Sequence, residues 1–111
     1  HSLQPVQPDP ATFRVRVGEG QCAQPYDLSL LNISGMSFGA LSPNAIKALN
    51  RGAAMGGFAH DTGEGSISVH HREHGGDLIW QIASGYFGCR TPDGHFDPER
   101  FALQALSPQA R

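Results

Sequence analysis

The stretch Leu30 to Ser42, LLNISGMSFGALS, places the tightest limit on how this chain can fold, and His60 to Ser66, HDTGEGS, repeats its form. Each runs from a short apolar segment into a glycine-rich, polar turn. In the first, Leu30, Leu31 and Ile33 give way to Gly35, Ser37 and Gly39, and a helical pattern follows. A strand, a tight glycine turn and a helix N-terminus gather backbone N–H groups at one end of a sheet, which suits a phosphate or another anion. The plainer alternative is a glycine turn that joins a buried strand to a helix.

Around these turns the pattern is that of parallel βα units. His1 to Pro10 holds three prolines and no periodicity, so an extended arm is expected. Thr12 to Val17 alternates, with Phe13, Val15 and Val17 on one side, as a half-buried edge strand does. Leu28 to Ser34 is nearly continuous in apolar residues and predicts a central strand covered on both faces. Ser42 then caps a helix with Pro43 at its first position, where the missing N–H costs nothing. Ile46, Leu49 and Ala53 form the inward stripe, Lys47, Asn50 and Arg51 the outward one, and Gly56-Gly57 the stop. Phe58 and Ala59 lead a second strand into HDTGEGS, Ser68 to Gly76 is a polar loop, and Leu78 to Ala83 is a third strand. Thr91 to Gly94 is a turn, Asp97-Pro98 opens a second helix with Phe101, Ala102, Ala105 and Leu106 as its apolar face, and Ser107-Pro108 ends it. Residues 1–27 are therefore expected as arm and edge strand, and residues 28–111 as βα units.

Composition narrows the function classes. With 14 glycines and 8 prolines among 111 residues, this is turn-rich α/β material with one modest core. A net charge of −2 argues against nucleic-acid binding, which needs a basic stripe. No apolar run reaches the roughly 18 residues of a membrane span. Cys22 and Cys89 make neither a disulfide framework nor a CxxC pair, so a reduced, cytoplasmic compartment is expected.

If the strands are parallel neighbours, their turns bring together Met36, Ser37, His60, Asp61, Thr62, Glu64, Gln81 and Ser84. The set is rich in neutral hydrogen-bonding groups and holds no nucleophile–base pair, so no catalytic residue is assigned. GxxxxGK[ST] and HExxH are both lacking. Amides and hydroxyls beside backbone N–H groups suit a flat heterocycle, with a cofactor supplying the chemistry. His70, His71 and His74 have metal-ligand spacing only on a helix. Gly75-Gly76 speaks against one, so solvated loop histidines and no metal are expected. Trp80 is expected in the core.

ISGMSFGALSPNAIKALNRGA, FAHDTGEGS and GGDLIWQIASGYFGCR together resemble the FMN-binding core of the glutamate synthase family, in the family's order, over residues 30–101. The resemblance implies a (β/α)₈ TIM-type barrel with FMN at the C-terminal mouth of its strands. It implies an oxidoreductase that reduces the imine of 2-oxoglutarate and ammonia, or glutamine-derived nitrogen, to glutamate, with electrons delivered through an iron–sulfur cluster. It places Gly35, Met36, Ser37, Asp61, Thr62 and Gln81 at the flavin, and Glu64 and Ser66 on the substrate side.

There are departures. TGEGG of the family is TGEGS here, and Asn44 stands where large-subunit members often have Glu. The cysteine-rich cluster stretch and an N-terminal cysteine nucleophile are lacking. A complete barrel needs about 250 residues. The chain is therefore expected to be a fragment of a larger polypeptide, inactive alone, whose open edges the rest of the barrel or further copies cover. Two alternatives remain: a truncated, non-enzymatic oligomeric binding or regulatory module, and an FMN barrel acting on another substrate.

Overall fold

A computed structural model describes residues 13–111. The expected arm from His1 to Pro10, and Thr12, lie outside them. The chain divides into two compact units, His1–Leu31 and Asn32–Arg111.

In the first unit, β1 (Arg14–Val17) pairs antiparallel with β2 (Tyr26–Ser29), Arg14 opposite Ser29 and Val17 opposite Tyr26. The turn is closed by the Gln21 and Cys22 amides, both donating to the Gly18 carbonyl at 3.0 and 3.1 Å. Arg16 Nη1 donates to Asp27 Oδ1 across the pair at 3.1 Å. The alternation of β1 is present, but its apolar side is not the covered one: Phe13, Val15 and Val17 are each about half exposed, and the least exposed residue of the strand is Arg14. A two-stranded ribbon offers them no second layer to pack on.

The second unit is mixed α/β. Its centre is the parallel pair β3 (His60–Asp61) and β4 (Leu78–Ile79), with His60 opposite Leu78 and Asp61 opposite Ile79. Single parallel bridges extend it on either side, Ile33 to His60 and Leu78 to Ala110. Four chain segments therefore run side by side, in sequence order and in one direction. The ladder is short but well made: Asp61 N to Ile33 O at 3.1 Å, Thr62 N to Ile79 O at 3.0 Å, and Leu78 N to Gln109 O at 2.8 Å.

The expected strand from Leu28 to Ser34 is therefore two pieces. β2 ends at Ser29, Leu30 and Leu31 lie exposed, and only Ile33 joins the parallel ladder. Continuous apolar character marked surface wanting cover and did not specify one pairing partner. The third strand is likewise only Leu78–Ile79, not Leu78 to Ala83. Phe58 and Ala59 precede β3 rather than start it.

Helix α1 (Pro43–Gly56) follows its local signals. Ser42 accepts the Ala45 N–H, Pro43 occupies the first turn, and Gly57 closes the helix at φ 69°. Ile46 and Ala53 are fully buried. Asn50, expected outward, is also fully buried, because it caps the neighbouring turn: its Oδ1 accepts from Gly76 N at 3.0 Å. The Ser68 to Gly76 loop contains one helical turn, α2 (Val69–Arg72), started by a capping box in which Ser68 and His71 exchange bonds. The expectation of solvated histidines fails at His71, which is fully buried. A histidine nitrogen took the acceptor role usually filled by Glu or Gln, which spacing alone did not reveal.

Helix α3 (Pro98–Ala105) starts as expected, with the Asp97 carboxylate accepting from Glu99 and Arg100 N–H groups. Its Phe101 stacks on Trp80 with ring centroids 5.7 Å apart. The rest of its expected apolar face is not buried, and Leu106 is 82% exposed.

Candidate functional site

Because Ile33, β3 and β4 are parallel neighbours, the segments that follow them leave the sheet at one edge. They enclose a cleft of about 380 Å³ lined by Gly35, Met36, Ser37, Ala40, Leu41, Gly63, Glu64 and Gln81. All three turns singled out from the sequence contribute to it.

Two contacts set its shape. Gly35 has no side chain where Gln81 and Asp61 approach: a Cβ there would lie 2.6 Å from Gln81 Oε1 and 2.9 Å from Asp61 Oδ1. Gly63, at φ 71°, passes the first turn so closely that a Cβ would lie 2.7 Å from Ser37 N. Asp61 Oδ1 accepts from Gly63 N at 2.8 Å and holds that left-handed turn from within. Thr62 is fully buried behind the cleft. Its hydroxyl donates to the Gly63 carbonyl at 2.9 Å and accepts from Gln81 N at 3.2 Å, tying the second turn to the third.

The sequence-derived residues thus separate into three positions. Gly35, Met36, Ser37, Glu64 and Gln81 line the cleft; Asp61 and Thr62 support its wall. Ser66 is directed elsewhere, its hydroxyl buried under Gly88 and accepting from Gln104 Nε2 at 3.4 Å. His60, expected to converge with these groups, is instead buried in the core, with Nδ1 3.2 Å from Asn50 Nδ2. It directly precedes Asp61, whose carboxylate supports the cleft wall, and successive side chains of a strand point to opposite faces. Ser84 does not line the cleft either. Ala40 and Leu41 were missed. Their signal was present: two apolar residues just after Gly39, in a turn that folds back through Leu41 N to Ser37 O at 3.0 Å.

The chemistry of the lining is specific. Among the described residues Glu64 is its one ionisable side chain, and no lysine or arginine takes part. Backbone groups, the Gln81 amide and the Ser37 hydroxyl stand beside Met36, Ala40 and Leu41. Such a wall fits the face and edge of an uncharged flat heterocycle better than a phosphate. Cys89 is fully buried, and burial, then Asp97, pushes its thiol pKa up, which disfavours the thiolate an iron–sulfur cluster needs.

Comparison with known proteins then decides the family. The model of the conserved region in glutamate synthase matches residues 7–100. The chain belongs to the glutamate synthase family. Among curated relatives of this family, the glutamate synthase large subunit-like protein YerD of Bacillus subtilis is 41% identical over 97 residues, covering 86% of this chain and 18% of that protein. The archaeal glutamate synthase [NADPH] of Archaeoglobus fulgidus is 44% identical over 73 residues, 66% of this chain and 13% of the relative. A glutamate synthase large subunit-like protein of Rhizobium meliloti is 40% identical over 63 residues, 57% of this chain and 14% of the relative. The chain therefore spans less than a fifth of the length of these glutamate synthase relatives. No solved structure matches it significantly. Among the described residues, no helix is long and apolar enough to cross a membrane.

The glutamate synthase motif departure at Ser66 has a structural consequence. Ser66 holds φ 77°, a conformation that costs an L-residue roughly 1–2 kcal/mol and a glycine little. Ser66→Gly removes this strain and one long hydrogen bond. It is expected to leave stability unchanged or raise it by up to about 1 kcal/mol, read as the urea midpoint. A clear loss would mean that the link to Gln104 outweighs the backbone strain.

Proposed function

We propose that this chain forms the opening βα units of an FMN-binding (β/α)₈ barrel, in an oxidoreductase that converts 2-oxoglutarate and ammonia or glutamine-derived nitrogen to glutamate. The observation that carries the reading is the cleft, in which three consecutive parallel segments deliver Gly35 to Ser37, Gly63 to Glu64, and Gln81 to one edge. That is where barrels and open parallel sheets bind ligands. The family membership and the relatives' names support the same reaction class.

In this reading Gly35, Met36, Ser37 and Gln81 hold the flavin ring, and the flavin supplies hydride transfer when bound. Gln81 orients the ring through its amide, and Gly35 admits that amide by having no side chain. Ala40 and Leu41 exclude water from one side of the ring. Glu64, exposed at the rim, faces the substrate side. Asp61 and Thr62 act by holding the Gly63 turn and the Gln81 backbone in register, and Ser66 does not reach the substrate. The iron–sulfur cluster finds no ligand set in these cysteines, so its ligands belong to other parts of the longer protein. Large apolar side chains left exposed, Leu30 and Leu31 in one unit and Leu103 and Leu106 in the other, favour cover by further chain or by a second copy.

The test is an FMN titration of the chain followed by flavin fluorescence, with its mass from light scattering. Micromolar, stoichiometric binding is expected. Gln81→Ala should weaken it about tenfold, the loss of one well-made hydrogen bond, with an unchanged urea midpoint. Equal affinity in chain and variant would remove the cleft from this reading.

A further inference from the structure

Two histidines pack together in the interior of the second unit. His60 and His71 are both fully buried, with ring centroids 5.3 Å apart. Their tautomers follow from their partners. The Ser68 backbone N–H donates to His71 Nδ1 at 3.0 Å, so that nitrogen carries a lone pair and the proton sits on Nε2. Asn50 is oriented by Gly76 N donating to its Oδ1, so its Nδ2 faces and donates to His60 Nδ1, which again leaves the proton on Nε2. Both Nε2 atoms are buried; among the described residues His60 Nε2 has no hydrogen-bond partner, and the Met36 backbone carbonyl faces the His71 ring. The pair is therefore held neutral by two donors, and neither ring can accept a further proton without losing one of those bonds.

This pair is joined to the cleft on two sides. His60 is paired with Ile33 and directly precedes Asp61, whose carboxylate holds the Gly63 turn. His71 lies in α2, where its neighbour His70 packs on Phe38 with ring centroids 4.8 Å apart, in the turn that carries Ser37, Ala40 and Leu41. We infer that His71 is a positioning residue of the cleft: neutral, it docks α2 against the Met36 to Leu41 turn, and a second proton on its ring undocks it. The proton would sit on Nδ1, where the Ser68 hydroxyl at 2.8 Å can accept it but the Ser68 backbone N–H can no longer donate, so the capping box that starts α2 loses that bond. The inference rests on the proposed flavin cleft only for its consequence, not for the proton-linked step.

The charges around the pair agree with this. Burial, then His60, pushes His71 down to about 4, against the Met36 carbonyl, with His70 adding to the fall. Burial also lowers His60, opposed by Asp61. Helix α1 presents the neutral Asn50, and its Lys47 is engaged by Glu73 at 3.1 Å. Undocked, His71 returns toward its ordinary 6.5. The docked form thus binds fewer protons, and docking is complete above about pH 6.5 and lost as pH falls toward 4. From those two values the docking equilibrium weakens roughly twentyfold between pH 7 and pH 5.

The experiment is amide hydrogen exchange of the 111-residue chain, corrected for intrinsic rates, at pH 7 and pH 5. Protection at the His71 amide should fall roughly twentyfold in the parent chain. In His71→Asn, whose amide oxygen still accepts from Ser68 N–H but does not titrate, the fall should vanish. An unchanged pH dependence in His71→Asn overturns the inference. Should that variant fail to fold, proton titration of the parent imidazole by NMR decides, and a His71 pKa near 6.5 overturns it. FMN affinity measured alongside separates the two readings: proton-linked loss of protection without FMN binding at pH 7 upholds His71 and sinks the flavin cleft.

Discussion

Gly63→Ala is expected to destabilise the chain by about 3 kcal/mol and to abolish the FMN binding proposed for the cleft. The figure combines two costs. A left-handed backbone at φ 71° costs an L-residue roughly 1–2 kcal/mol. The new Cβ would also lie 2.7 Å from Ser37 N and 3.0 Å from Met36 C, backbone atoms that cannot turn aside as a side chain can. Overpacking of this kind costs roughly 1–3 kcal/mol. Gly75 provides the control, at φ 72° with nothing within 4 Å of its would-be Cβ. Gly75→Ala therefore carries only the backbone cost. Urea midpoints of the two variants separate the terms, and equal losses would mean that the two turns do not meet as described. The loss matters because a small domain is stable by only about 5–15 kcal/mol.

Asn50→Ala is expected to cost a similar amount, about 3–4 kcal/mol. Asn50 serves Gly76 N at 3.0 Å, the Gly76 carbonyl at 3.5 Å and His60 Nδ1 at 3.2 Å, all in the buried interior. The Gly76 carbonyl keeps its bond from Gln109 Nε2 at 2.8 Å, so the exposed debts are the Gly76 N–H and the His60 lone pair. Each buried group left unsatisfied costs roughly 1–3 kcal/mol. Asn50→Leu restores the volume but not the partners. It should be no more stable than Asn50→Ala; recovery in Asn50→Leu would show that packing, not hydrogen bonding, was lost. Because Asn50 also fixes the His60 tautomer, both variants should alter the acid response of the chain.

Three sequence motifs pointed to the place that the structure makes into a cleft. Gly35, Met36, Ser37, Glu64 and Gln81 were legible because each sits at a fixed offset after an apolar segment, where a parallel arrangement must bring turns together. Both long helices were legible for a similar reason. Ser42-Pro43 and Asp97-Pro98 satisfy orphan N–H groups locally, whatever the rest of the chain does.

What the sequence determined by itself was therefore what nearest neighbours along the chain can settle: caps, stops, glycine turns and the order of βα units. Tertiary structure decided the rest, because burial and pairing depend on residues far away in sequence. It split the apolar stretch from Leu28 to Ser34, since a strand exists only where a partner offers a ladder. It buried Asn50 and His71 inside polar patterns, since a polar group can be buried wherever distant backbone supplies its bonds, as Gly76 does for Asn50. Ser66 shows the same division. Its motif placed it in the turn, but the approach of Gly88 and Gln104 decided where its hydroxyl lies.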